Sequence, residues 1–147
     1  MAIVLKLIDA RGKPIKGESK VPGHVDEIDI QAWSWGVTAP AGARLNILDI
    51  SIKKLVDLAS PVLLGKTERH EILQQGVLTV IDQQGTRPDF LVLTLKKIAV
   101  ESITIAEGQF PPVEEIALRF DEIEFNCKGE HVILIRSQAA APRKRKG

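Results

Sequence analysis

At 147 residues, 44% of them hydrophobic and only one a cysteine, the chain is long enough to bury one core and has no internal disulfide to brace it. Its formal net charge of +1 excludes a global electrostatic attraction to nucleic acid and sets little repulsion against self-association. No apolar run approaches the roughly 20 residues that a membrane-spanning helix needs, so a soluble chain with no membrane insertion is expected.

Ile3, Leu5 and Leu7 alternate with Val4, Lys6 and Ile8, which predicts a first strand closed by the turn-rich Asp9-Ala10-Arg11-Gly12-Lys13-Pro14. Lys6 and Asp9 interrupt the apolar run, so this start reads as a strand rather than a signal peptide. Gly17 to Gly23 reads as an exposed polar loop. Ile28, Ile30 and Ala32 form one face of a second strand, after which the large residues change parity to Trp33 and Trp35; a strand face holds only every second residue, so the change predicts a bulge or bend. The loop Gly36 to Ala43 leads into a third alternating stretch, Leu45 to Leu55, with Leu48, Ile50 and Ile52 on one side.

Ala59-Ser60-Pro61 then marks a helix start, with the Ser60 hydroxyl capping a first-turn N–H and Pro61 standing where no N–H is needed. The predicted helix runs from about Pro61 to His70, weakened by Gly65 in its interior. Val77 to Ile81 is a strand, with a hairpin turn at Asp82-Gln83-Gln84-Gly85. Leu91, Leu93 and Leu95, then Ile98 and Val100, then Ile103 and Ile105 change parity twice, which predicts a long strand with two bends. After Phe110-Pro111-Pro112, Ile116, Leu118 and Phe120 hand over to Ile123 and Phe125 near Asp121-Glu122, and Val132 to Ile135 is the last strand. Bent strands with hairpin connections predict a mainly β fold, a small antiparallel β-barrel or tightly packed sandwich flanked by one short α-helix. One domain over residues 1–138 is expected, with Ala139 to Gly147, which carries Arg143-Lys144-Arg145-Lys146, as a disordered basic tail.

Catalytic signals are missing from the pattern. His24, His70 and His131 share no ligand spacing and read as isolated surface residues, so neither metal nor other cofactor is expected. Cys127 lacks the partners of a nucleophile and reads as a structural thiol, consistent with a reducing cytoplasm. Glu114-Glu115 and Asp121-Glu122 are adjacent, so on strands each pair splits between two faces and reads as solvated charge. No phosphate-cradling glycine motif is present. Trp33 and Trp35 lie on one side of a strand; aromatic residues are scarce, which favours burial, and the rival use is a flat platform for sugars in a monomeric β-sandwich carbohydrate-binding module.

Taken together, Gly17-Glu18-Ser19, Gln31-Ala32-Trp33-Ser34-Trp35-Gly36 and Ser51 to Leu63, with Asp57, Ala59, Ser60 and Pro61, resemble the Hcp (haemolysin-coregulated protein) family of bacterial type VI secretion. Gly76 to Val80, Phe90 to Ile98, Val100 to Ile103 and Ile116 to Phe120 follow in the family's order, so the resemblance runs from about Ile3 to Phe125. It implies a small barrel that assembles as a hexameric ring without catalysis. Such rings stack into an inner tube that a contractile sheath propels, with a spike protein at the tip and secreted effectors as cargo. The chain would be made in the bacterial cytoplasm and leave through the secretion machinery without a signal peptide. The chain departs from the family's pattern in a shorter loop at Val37 to Arg44, in Gly108 to Pro112 in place of a glycine-rich turn, and after Lys128. Those loops lie where contacts between rings are expected, and no fused toxin domain is expected.

Overall fold

The alternations translate into strands almost throughout. The structure, a computed structural model, describes residues 2–82 and 89–136. The described elements are β1 (Ala2–Ile8), β2 (Ile28–Asp29), β3 (Ala32–Ser34), β4 (Val37–Thr38), β5 (Asn46–Ile47), β6 (Ile50–Leu55), α1 (Ala59–Glu68), β7 (Leu73–Ile81), β8 (Asp89–Ala106), β9 (Val113–Cys127) and β10 (Glu130–Ile135). The main sheet has the order β2-β1-β7-β8-β9-β6-β3, every pairing antiparallel, and β10 also pairs with β9. β4 and β5 form a separate two-stranded hairpin inside the 37–47 segment. Its two-residue strands are all the regular structure that short loop carries.

The ends of this sheet are neighbours in the chain. Ile30 donates its N–H to Ile3 O on the β1 side at 2.9 Å, and Gln31 donates to Lys53 O on β6 at 2.8 Å. The single step between β2 and β3 therefore touches both ends of the sheet and curls it into a barrel. That step is the bend predicted between Ala32 and the tryptophans, placed slightly earlier in the chain.

Both bends of the long strand have a visible cause. Lys97 takes a left-handed backbone (φ 57°), and the burial parity passes there from Leu95 to Ile98. β9 turns with it, since Ile123 faces Leu95 and Phe120 faces Ile98 across the ladder. Beyond it, Val100 faces Leu118 but Ser102 faces Ala117, which leaves Glu101 as the extra residue of a bulge. The core fills the inside of this curl with Leu5, Leu7, Ile28, Ile50, Ile52, Leu78, Leu93, Leu95, Ile116, Leu118, Phe120 and Ile123, and α1 adds Ala59 and Leu63.

Three sequence expectations need correction. Residues 17–23 are not an open loop: Gly17 and Ser19 donate to Asp26 O and Glu27 O, Asp26 donates back to Ser19 O, and Ser19 is fully buried. A Cβ on Gly17 would lie 2.5 Å from Glu27 O, so the absence of a side chain is what lets the two segments approach. The Leu45–Leu55 alternation is broken, because Ile47 is buried and Leu48 exposed before Ile50 and Ile52 resume the pattern. The helix begins at Ala59 rather than Pro61 and ends at Glu68, with His70 already left-handed at φ 54°. The turn after Asp82 and the basic tail lie outside the described residues.

Candidate functional site

The residues of the Asp57-Leu58-Ala59-Ser60-Pro61 stretch meet a charge that periodicity alone assigns to the core. On β6 the buried parity runs Ile50, Ile52, Lys54, and on β9 it runs Glu114, Ile116, Leu118. Lys54 and Glu114 face each other in the ladder, and both side chains are 0% exposed. The Lys54 ammonium shares its three protons among Glu114 Oε1, Asp57 Oδ1 at 2.8 Å, Ser60 Oγ at 3.1 Å and Leu55 O at 2.9 Å. Ser60 Oγ in turn donates to Glu114 Oε1 at 2.6 Å and accepts the Asp57 N–H at 2.9 Å. Ser60 therefore does not cap the helix as its sequence position implied. The N-cap position is Leu58, whose side chain caps nothing; Asp57 Oδ1 accepts the Ala59 N–H at 2.9 Å and Glu18 Oε2 that of Leu58 at 2.8 Å.

Glu114 is thus a correction to the solvated-charge reading, although its neighbour Glu115 is exposed and meets Lys53 at 3.4 Å. The signal was present in the sequence as a charged residue standing on the apolar parity of each strand. Serine, lysine and glutamate in hydrogen-bond contact have the composition of a hydrolytic site. With Lys54 and Glu114 fully enclosed and Ser60 3% exposed, no substrate reaches them, so the cluster is structural.

Trp33 and Trp35 both pack against the core from half-buried positions. The Trp35 indole N–H donates to Leu48 O at 2.9 Å, and its ring lies 6.4 Å from Phe120 and 6.3 Å from Phe125 between centroids. Ser34 is exposed and Gly36 half-buried, while Ala59 is enclosed and Pro61 exposed on α1. The motif residues therefore form two groups, one around the tryptophans and one around Lys54. Arg136 closes the tryptophan side by donating to Phe120 O and Ile47 O, both at 2.7 Å, and burial, then the Arg119 charge, lower its guanidinium below the ordinary value.

His24 is less isolated than its sequence context indicates, since its side chain is 16% exposed and its ring nitrogens face Glu27 at 3.0 Å and Asp89 at 3.4 Å. Cys127 is half-buried against the core. Among the described residues no group of three or more His, Cys, Asp or Glu stands ready to hold a metal ion, and no helix is long and apolar enough to cross a membrane.

The surface carries unpaired backbone with apolar side chains. Among the described residues β10 pairs with β9 alone, and its successive residues Val132 and Ile133 are 50% and 49% exposed. Neighbouring residues of a strand point to opposite faces, so the first part of β10 is exposed on both faces while Leu134 further along packs against the core, and one edge is open among the described strands. β8 outruns β7, whose pairing stops at Ile98, so its residues 99–106 are paired with β9 alone among the described strands. This arm exposes Ile105 and ends in a loop where Phe110 is 94% exposed. Leu58, just before α1, and Val62 and Leu64 within it are exposed. Open edges and exposed apolar side chains of this kind are what a protein covers with a partner.

Comparison with known proteins supplies the context. The family model "Type VI secretion system effector, Hcp" matches residues 5–127. The chain is 29% identical to protein hcp1 of Pseudomonas aeruginosa in an alignment of 122 residues, with 75% of this chain and 75% of that one covered. Among solved structures it superposes on an Hcp1 protein from E. coli EAEC 042 with a TM-score of 0.84 at 19% identity, covering 92% of this chain and 97% of that one. It superposes on the secreted protein Hcp3 of Pseudomonas aeruginosa with a TM-score of 0.77 at 17% identity, covering 91% and 97%.

Proposed function

Since this chain belongs to the Hcp family of the type VI secretion system, whose members are structural tube proteins, we propose that it closes with copies of itself into a hexameric ring. The observation that carries this reading is the pair of open edges, β10 and the outer end of β8, each fringed by half-exposed apolar side chains. They lie on different strands, so each copy offers two unlike surfaces. Contacts between unlike surfaces are heterologous, and they close into a ring when the rotation between copies allows it. The number six comes from the family and not from the edges.

In this reading the rings stack into the inner tube, are propelled by a contractile sheath behind a spike protein, and carry effectors out of the bacterial cytoplasm. Residues 1–138 act as one barrel unit. The motif residues Trp33, Ser34, Trp35, Gly36, Asp57, Ala59, Ser60 and Pro61 serve the subunit's architecture and no chemical step. The carbohydrate-platform alternative draws no support from Trp35, whose ring and N–H are taken up by Phe120, Phe125 and Leu48.

Static light scattering at micromolar concentration tests the ring. A mass six times that of the chain is expected, and it should persist in 1 M salt, where the Debye length falls to about 3 Å and contacts between exposed charges fade while apolar burial remains. A monomer at every salt concentration would overturn the proposal.

A further inference from the structure

We propose that the buried Lys54–Glu114 pair, together with Asp57 and Ser60, is a positioning device that fixes one placement of α1 on the barrel and is not there to add stability. A helix of ten residues normally docks through an apolar stripe, which is a non-directional attachment. α1 buries only Ala59, Ser60 and Leu63, so one large apolar side chain anchors it, with Gly65 two residues on. Sliding or turning such a helix changes little apolar burial.

The directional contacts behave differently. Lys54 Nζ is held on β6 and reaches Asp57 just before α1, Ser60 within it and Glu114 on β9. Ser60 uses its single hydroxyl proton on Glu114 and its lone pairs on Lys54 and the Asp57 N–H. Only one placement of α1 sets Ser60 Oγ against both Lys54 and Glu114, and any other leaves those two charges with each other but without the hydroxyl that completes their bonds. Removing a charge pair whole and filling its volume with apolar groups is often neutral for stability or better, whereas breaking one half of it is strongly unfavourable. A pair with these properties, set under an under-anchored helix, specifies position.

The test is the double variant Lys54→Met/Glu114→Leu, compared with the parent by thermal melting and by amide hydrogen exchange. Expected is a cooperative melt at or above the parent's midpoint, with exchange at least tenfold faster in residues 59–68 and unchanged in β6 and β9. Ser60→Ala, which leaves the charge pair intact, should show the same acceleration confined to α1. A double variant that fails to fold or melts well below the parent would make the pair a stability element and overturn the proposal. Unchanged protection of α1 in both variants would overturn it equally. Parent and variants are compared at the same mass in solution by light scattering, so the outcome stands apart from the proposed assembly.

Discussion

Individual side chains set the first measurable consequences. Trp35 joins Phe120, Phe125 and Leu48 O, so Trp35→Ala should lower stability by about 3 kcal/mol, the lower end for truncating a large aromatic residue because the ring is half-buried. Trp35→Phe keeps an aromatic ring and loses the N–H, and should cost about 1 kcal/mol. Denaturant midpoints measure both, and an alanine variant as stable as the parent would place the indole outside the core. Asp9 and Glu71 make a different forecast. The Lys13 N–H above all, then that of Arg11 and the Lys66 ammonium, hold the Asp9 carboxyl below its usual range, against burial, which works the other way. The Ala10 N–H and Lys66 do the same for Glu71, again against burial. Both carboxyls bind protons more weakly folded than unfolded. Their stabilisation is therefore fully present above the ordinary carboxylate range and is lost as pH falls through it toward the lowered folded values. Asp9→Asn/Glu71→Gln should be less stable than the parent at pH 7 and should lose less on acidification below about pH 4.5. Parallel pH profiles would show that neither carboxyl is linked to folding.

At the scale of elements, α1 is short, thinly anchored and interrupted by Gly65. A Cβ at that position would meet the Arg69 guanidinium at 3.5 Å, an ordinary contact with a flexible side chain. Gly65→Ala should therefore stabilise by about 0.5–1 kcal/mol through helix propensity, raising the melting temperature by a few degrees. No gain would indicate that the glycine's small volume is needed by whatever covers this face. The strands are secured differently: β8 and β9 bend together at Lys97 because Leu95 and Ile98 must each keep facing their partners Ile123 and Phe120 across the ladder. Curvature here is a property of the pair.

Taken whole, the molecule is a closed curl with two loose margins. Ile105 and Val132 are each about half exposed on those margins, so Ile105→Lys and Val132→Lys should leave the melting of the isolated subunit within about 0.5 kcal/mol of the parent. Each should nevertheless reduce the mass in solution toward that of one chain, because a charge on an edge strand blocks pairing with a neighbour. Sedimentation of the two variants reads this directly, and full-mass assemblies from both would move the contact elsewhere on the surface.

The strands and their bends were legible in the chain because a strand face repeats every second residue, so each change of parity from Leu95 to Ile98 or from Phe120 to Ile123 marks where the backbone must turn. The family resemblance was legible in Trp33-Ser34-Trp35-Gly36 and Asp57 to Pro61 for a related reason, since both are short and local. What the tertiary structure alone decided were the partners. Lys54 and Glu114 stand 60 residues apart, and only the β6–β9 register turns two misplaced charges into one buried pair. That register also gives Ser60 its bond to Glu114 in place of a cap, and the backbone bonds of Gly17 and Ser19 to Asp26 and Glu27 tie down a stretch whose polar composition reads as free loop. Periodicity reports which way a side chain points, because pointing is local geometry; what it points at depends on contacts between distant segments, and only folding brings those together.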